Sequence, residues 1–447
     1  MTVESPPGAA WTEAEVARNF RTFMIIWAAQ LVARLGNGLT AFGLGVYVYR
    51  ATGSSTSVAL VTLAAFLPGV VLAPLGGVLA DRFDRRLLMI LSDAFSAVGL
   101  VALLLLVDRG LGTVPVVCAC VAVSSVFTSV MDPAYRATVT DLLTPDQYAR
   151  AGGLVQFAAA SQYLISPAIA GFLMARFGIE VVLLIDVGTL AVTTLCVALV
   201  WRTIRTRRQP SERGFWADFG FGVGFLARNR GITVLMLLVT LVTFCMGFLQ
   251  TLLTPMLLDL SNEETLGIVR SVAAIGMVVS SLAIGIFNMG NRHLTYMAYA
   301  LAVAGVAVLL LGATPNVLLI GVLAFVFFMT LPPLNTSVEV LVRSSIPNET
   351  QGKVWGLVGL ISQLGYLVAY AVSGVLADVV FNPLLVPGGA LAGSLGSLVG
   401  VGPSRGIGLM LMVVGLLLVA TAVVVPRVRS IRKLENDLLE QSWESKE

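Results

Sequence analysis

Charge is scarce in this chain. Only 12% of its 447 residues are Asp, Glu, Lys or Arg, against about 25% in an ordinary soluble domain. That shortage rules out a single soluble domain with a buried core. Histidine is scarcer still, with one copy, His293. Without a His-Glu-x-x-His or a Ser–His pair, zinc-hydrolase and serine-hydrolase chemistry lack their parts. The four cysteines, Cys118, Cys120, Cys196 and Cys245, form no Cys-x-x-Cys and lie in apolar segments. They read as small packing residues rather than metal ligands. No Gly-x4-Gly-Lys-Ser/Thr loop occurs, so the chain has no P-loop for ATP. These absences argue against an enzyme, a metal centre and a cofactor. The net charge of +3 gives no reason to expect a nucleic-acid partner.

Apolar residues are abundant. They make up 57% of the chain, the mean hydropathy is +0.91, and runs of about 18 residues or more recur, as transmembrane helices require. Breaks at Gly, Pro and charge clusters divide residues 22–425 into about twelve spans. The expected fold is an all-α membrane protein of twelve transmembrane helices in two six-helix bundles, 22–201 and 231–425. A basic linker, 202–230, separates them, and tails 1–21 and 426–447 flank them. The N-terminus is acidic and Pro-containing, unlike a cleavable signal, and is expected to stay cytoplasmic. If both termini are inside, the inner loops hold 22 of the 28 Lys and Arg and the outer loops hold five, with Arg34 inside the first span. This positive-inside bias supports an even span count and a plasma-membrane location. Within the linker, FWADFGFGVGFLARNR mixes aromatics, Gly and charge, and reads as a segment lying along the membrane surface. The longest outer connection, about 378–405, is Gly-rich and apolar, and a flexible loop and a re-entrant turn both remain open. A weak repeat relates TPDQYARAGGLVQFAAASQYL (144–164) to IPNETQGKVWGLVGLISQLGY (346–366). It aligns Ser161-Gln162 with Ser362-Gln363 and supports two parallel halves with a site between them.

The loop between spans 2 and 3 reads GGVLADRFDRRLLM. Gly77, Asp81, Arg82, Arg85 and Arg86 in this spacing resemble the signature of the major facilitator superfamily of transporters, Gly-x-x-x-Asp-Arg/Lys-x-Gly-Arg-Arg/Lys. Asp84 stands where that pattern has its second Gly. Span 5 contains Ser166-Pro167-Ala168-Ile169-Ala170-Gly171, which is similar to a degenerate antiporter stretch of that superfamily, with Ser166, Pro167 and Gly171 matching its small-residue and Pro plan. The ADRFDRR and MDPAYRATVTDLLTPDQYARAGGL stretches resemble its bacterial macrolide-efflux and siderophore-exporter branch. The resemblance implies a cavity lined by helices 1, 4, 7 and 10. It also implies an inner gate at Asp81, Arg82, Arg85 and Arg86. A carboxylate there suits the free N–H groups at the start of span 11. The arginines suit acids such as Asp132 or Asp141.

Arg34 sits in the first span, within IIWAAQLVARLGNGL. A central Arg costs roughly 2.5–3.5 kcal/mol on insertion scales, a cost tolerated when the side chain faces water or an acid. Trp27, Gln30, Arg34 and Asn37 follow helical spacing and share one face. Similar stripes carry Thr243 and Gln250 on span 7, and Gln363, Tyr366 and Tyr370 on span 11. Together they predict a partly polar, partly aromatic pocket for an amphipathic solute. Asp93 and Asp186 lie inside spans without a sequence-local partner and are the leading candidates for proton coupling, with Arg34 as a long-range partner. Asp132 and Glu339 lie nearer the inner ends, and Glu339 with Arg343 has the i, i+4 spacing of a surface ion pair. The expected function is a proton-coupled exporter of lipophilic or amphipathic small molecules, acting as a monomer by alternating access. A nutrient importer and a non-transporting receptor on the same fold are the alternatives.

Overall fold

A computed structural model describes residues 12–201, 215–287, 290, 292–346 and 351–444. Among these residues every regular element is helical. The first half comprises α1 (Glu13–Thr52), α2 (Ser55–Arg82), α3 (Arg85–Asp108), α4 (Val114–Leu142), α5 (Tyr148–Leu164) and α6 (Ser166–Leu199). After α7 (Phe215–Arg228), the second half comprises α8 (Arg230–Leu260), α9 (Glu263–Phe287), α10 (His293–Ala313), α11 (Val317–Ser344) and α12 (Gln351–Val375). Two short helices, α13 (Asn382–Leu385) and α14 (Gly396–Val399), precede α15 (Arg405–Val424), and α16 (Arg429–Glu444) follows.

Among the described residues, eleven segments are long and apolar enough to cross a membrane. One of them, Pro145–Leu199, has 55 residues, roughly 80 Å if wholly helical, more than twice the apolar thickness of a bilayer. Gly178 interrupts it with φ 78° and ψ −172°, a conformation that glycine adopts at least cost. The stretches on either side are each long enough for a crossing of their own. Large apolar side chains such as Ile286, Phe287 and Leu318 are exposed on the outer faces, where a hydrocarbon solvent would accept them.

Within the first half, α1 packs on α6, and α4 packs on α2 and α3; within the second, α8 packs on α12, α9 on α11, and α10 on α15. The halves meet along two main seams, α6 against α9 and α2 against α12. The first seam depends on two glycines. A Cβ on Gly171 would lie 2.6 Å from the Glu263 carbonyl oxygen, and one on Gly267 would lie 2.3 Å from that of Pro167. The Ala168 N–H also donates to Ser271 Oγ across this seam at 3.1 Å.

The helices depart from the sequence reading at both ends of the chain. α1 starts at Glu13, so nine residues assigned to the 1–21 tail belong to the first helix. The cause is a capping box, in which Thr12 accepts from the Glu15 N–H and Glu15 accepts from the Thr12 N–H. In the C-terminal tail, α16 docks through the fully buried Ile431, and Glu435 Oε1 accepts the Leu294 N–H at the start of α10 at 2.8 Å. Residues 202–214 of the linker lie outside the described residues. Its second part forms α7, with Leu226 buried and Phe221 and Val223 exposed. The 378–405 connection is compact and partly helical, and it buries Leu385 and Val399.

Candidate functional site

The end of the bundle that carries Arg82, Arg85 and Arg86 is the basic end; the opposite one is the distal end. The halves are bonded to each other at the distal end. Arg50 Nε meets Glu263 Oε1 at 2.6 Å, and the Tyr49 hydroxyl donates to Asp259 Oδ1 at 2.8 Å. Toward the basic end they part around a cavity of about 1160 Å³, whose lining reaches Ala73, Arg136 and Gly356.

One wall of the cavity is polar and built on α1. Gln30, Arg34 and Asn37 line it, as their shared helical face predicts. Gly36 lets α1 lie against α6, because a Cβ there would fall 2.5 Å from Asp186 Oδ1 and 2.3 Å from Thr189 Oγ1. Close packing behind α1 thus leaves its polar face toward the cavity. Arg34 Nη2 donates to Asp132 Oδ1 of α4 at 2.7 Å, with 17% of the Arg34 side chain and 56% of the Asp132 side chain exposed. Arg34 Nε is buried and carries no hydrogen bond to any of the described residues. Ser125 and Thr128 extend the polar strip along α4, and Asp93 of α3 also lines the cavity. Asp93 is buried, and its Oδ2 has no hydrogen-bond partner among the described residues. Asp186 lies behind α1, off the cavity wall, where it accepts from Thr40 Oγ1 at 2.5 Å and from Thr189 Oγ1 at 3.2 Å. The sequence reading paired Arg34 with Asp93 or Asp186. The structure pairs it with Asp132 instead, because α4 brings that carboxylate to the same depth on the facing wall.

The second half contributes α12. Gln363 lines the cavity, as does Gln162 of α5, its counterpart in the sequence repeat. Phe66 of α2 also lines it and packs edge-on against Tyr366 and Tyr370, with ring centroids 5.7 and 5.4 Å apart. Five expected cavity residues do not line it: Tyr366 and Tyr370, which meet it only through Phe66, and Trp27, Thr243 and Gln250, which bond to neighbouring helices. Trp27 Nε1 donates to the Leu154 carbonyl at 2.7 Å, pinning α5 to α1. Thr243 Oγ1 donates to the Ser362 carbonyl at 2.7 Å, joining α8 to α12. Gln250 Oε1 accepts from the Tyr370 hydroxyl at 2.7 Å, away from the cavity wall. The α8 stripe is therefore interhelical bonding, and helical spacing alone does not distinguish that from a cavity face.

Arg270, one of the five residues counted above in the outer loops, lies two turns into α9. Its Nη2 donates to the Gln250 carbonyl at 2.8 Å and to Thr254 Oγ1 at 2.7 Å, and its guanidinium lies 5.8 Å from the Phe42 ring centroid. The signal for this second intramembrane arginine was present in LGIVRSVAAIGM, an apolar run on both sides of the charge.

At the basic end, Arg85 pairs with Asp141 of α4, one of the two acids expected for it. Arg86 pairs with Asp84 at 2.6 Å, donates to the Trp201 carbonyl at 2.8 Å and stacks over the Trp201 ring at 4.7 Å. These bonds lie within the first half. Asp84 caps α3 through the Arg86 N–H at 2.9 Å, a role the Gly of the signature lacks the side chain to play. The Arg86 side chain holds the Asp84 carboxyl below its ordinary value. Arg82 is exposed, and Gly77 leaves open space where a Cβ would stand. The Asp81 side chain and residues 347–350 before α12 lie outside the described residues. Ser166 Oγ donates to the Leu35 carbonyl at 3.0 Å, while Pro167 and Gly171 sit in the seam with α9. Glu339 and Arg343 form an exposed pair at 2.7 Å, as their spacing predicts.

Residues 26–370 match the family model of the Major Facilitator Superfamily. The chain belongs to that superfamily. It is a multi-pass membrane transporter of small molecules, not an enzyme. It is 25% identical to macrolide efflux protein A of Streptococcus pyogenes over 419 residues, covering 92% of this chain and 97% of that protein. It is 24% identical to the multidrug efflux pump Tap of Mycolicibacterium fortuitum over 373 residues, covering 79% and 89%. The crystal structure of the POT family transporter PepTSo superposes with a TM-score of 0.71 at 12% identity, covering 93% of this chain and 98% of that one. A likeness at that identity speaks for the fold alone.

Proposed function

We propose that this chain exports amphipathic small molecules such as drugs across the plasma membrane, in exchange for protons. In this reading both termini are cytoplasmic, Gly178 separates the fifth and sixth of twelve crossings, and the basic end faces the cytoplasm. The cavity carries the proposal. It is large enough for a drug-sized solute, joins a polar strip on α1, α3 and α4 to the aromatic Phe66, and lies between halves bonded at the distal end. The names of the two efflux relatives agree with export.

Each polar group then has a role. Arg34 and Asp132 orient the polar part of the solute, with Gln30, Asn37, Gln162 and Gln363 as hydrogen-bonding neighbours. Asp93 takes up or gives up a proton as the cavity changes sides, and Asp186 sits behind it as a second carboxylate held by two threonines. Rocking of the halves presents the cavity alternately to the two faces of the membrane. Asp81 and the neighbouring arginines steady the basic end when it closes. Expression in a host stripped of its own pumps tests the export. Resistance to macrolides or other amphipathic drugs is expected, and no change in susceptibility or accumulation of any compound would contradict it.

A further inference from the structure

The distal closure is concentrated on five residues of the first half, within the stretch 49–56. Tyr49, Arg50, Ser54, Ser55 and Thr56 lie in or beside the turn between α1 and α2, and each is bonded to an acid of the second half. Tyr49 donates to Asp259 at 2.8 Å, and Ser404 holds the other oxygen of that carboxylate. Arg50 pairs with Glu263 at 2.6 Å. Asp378, at the distal end of the α12 segment, takes the rest. Its Oδ1 accepts the Ser55 N–H at 3.1 Å, and its Oδ2 accepts the Thr56 N–H, Ser54 Oγ and Thr56 Oγ1, each at 2.8 Å.

Ser55 and Thr56 are the first two residues of α2, whose N–H groups lack partners within the helix. A carboxylate there satisfies them with charge-assisted bonds and meets the positive end of the helix dipole. This carboxylate comes from the other half of the protein, so the bonds break when the distal end opens. Bonds within one half persist in any rocking motion; these do not.

We infer that Asp378 is the latch of the distal gate: it holds the cavity shut on that side by capping α2 from across the interface, assisted by Asp259 and Glu263. The inference rests on the alternating-access reading above. It makes the antiparallel pair α2 and α12 a switch with two ends. Asp378 joins them at the distal end in this conformation, while the cavity separates Val70 and Ala73 from Gly356 and Leu360 toward the basic end. Asp378 is thus a positioning residue for transport and need not touch the solute.

The test is a distance measurement across the distal end by pulsed electron spin resonance. Spin labels replace one exposed residue beside each half of the gate, in otherwise wild-type protein in lipid nanodiscs. Asp378→Asn is expected to raise the distal-open fraction relative to the closed one about tenfold, with a matching fall in efflux turnover. Ser55→Pro removes one donor while leaving a residue suited to the first position of a helix, and is expected to shift the fraction in the same direction by less. Labels across the basic end report the complementary closure, a readout that general destabilisation would not produce. Wild-type distances in both variants, each well folded, would overturn the latch. If Asp378→Asn does not fold, the Ser55→Pro distances decide. Failure of the export reading would show differently, as no solute flux by the wild-type protein whatever the distances.

Discussion

Replacing Asp132 by Asn removes the carboxylate that holds Arg34 at 2.7 Å. Breaking one side of a fully buried pair costs about 3–5 kcal/mol, chiefly by leaving a charge stranded. Here 56% of the Asp132 side chain is exposed to the cavity, so water screens the pair, and about 1–2 kcal/mol is expected. Arg34 remains the costlier partner to leave alone. It is 17% exposed and already has one nitrogen without a bond. Arg34→Gln removes that charge and leaves an exposed carboxylate, so a loss under about 1 kcal/mol is expected. The Arg34→Gln, Asp132→Asn double variant should therefore be more stable than Asp132→Asn alone, with a coupling of about 1 kcal/mol. Thermal unfolding of the four proteins in one detergent reads this order. Efflux should be lost in all three variants, so stability and transport part company in the double variant. Strictly additive losses, or Asp132→Asn as stable as the wild type, would refute the pairing.

Asp81→Asn should slow turnover more than it weakens solute binding, measured as efflux rate against binding affinity; unchanged turnover would remove Asp81 from the gate. Gly171→Leu drives side-chain atoms into the backbone of α9, since even a Cβ would fall 2.6 Å from the Glu263 carbonyl oxygen. A loss of about 1–3 kcal/mol and a wider distal end are expected, by thermal unfolding and spin-label distances. The Arg86 side chain holds the Asp84 carboxyl below its ordinary value of 3.8. Its cap on α3 therefore contributes fully above that pH and is lost as the pH falls further, through the lowered folded value. Amide exchange at the start of α3 should quicken only in that acid range, and quickening near pH 6 would contradict the assignment.

Apolar periodicity and Arg distribution made the helical membrane fold legible, because a bilayer imposes length and charge rules that a single sequence displays. The α1 face was legible for the same reason, and Gln30, Arg34 and Asn37 reach the cavity together. The partner of Arg34 was not legible. It depends on the relative depth of α1 and α4, and no local pattern encodes the offset between helices 98 positions apart. Thr243 and Trp27 show the converse limit. Their spacing is right for a cavity, but a neighbouring carbonyl takes each polar hydrogen. The α1 start at Thr12 was written in the sequence as Thr-x-x-Glu and was outweighed by low hydropathy. The α16 helix was missed because its apolar residues are few and sit among charges.

The central claim is coupled export, and flux into inside-out proteoliposomes tests it most directly. Purified protein is reconstituted, an acid-inside pH gradient is imposed, and accumulation of a labelled macrolide is followed. The account predicts accumulation that collapses when an ionophore dissipates the gradient and is absent in well-folded Arg34→Ala. Macrolide binding without gradient-driven movement, or wild-type movement by Arg34→Ala, would contradict it.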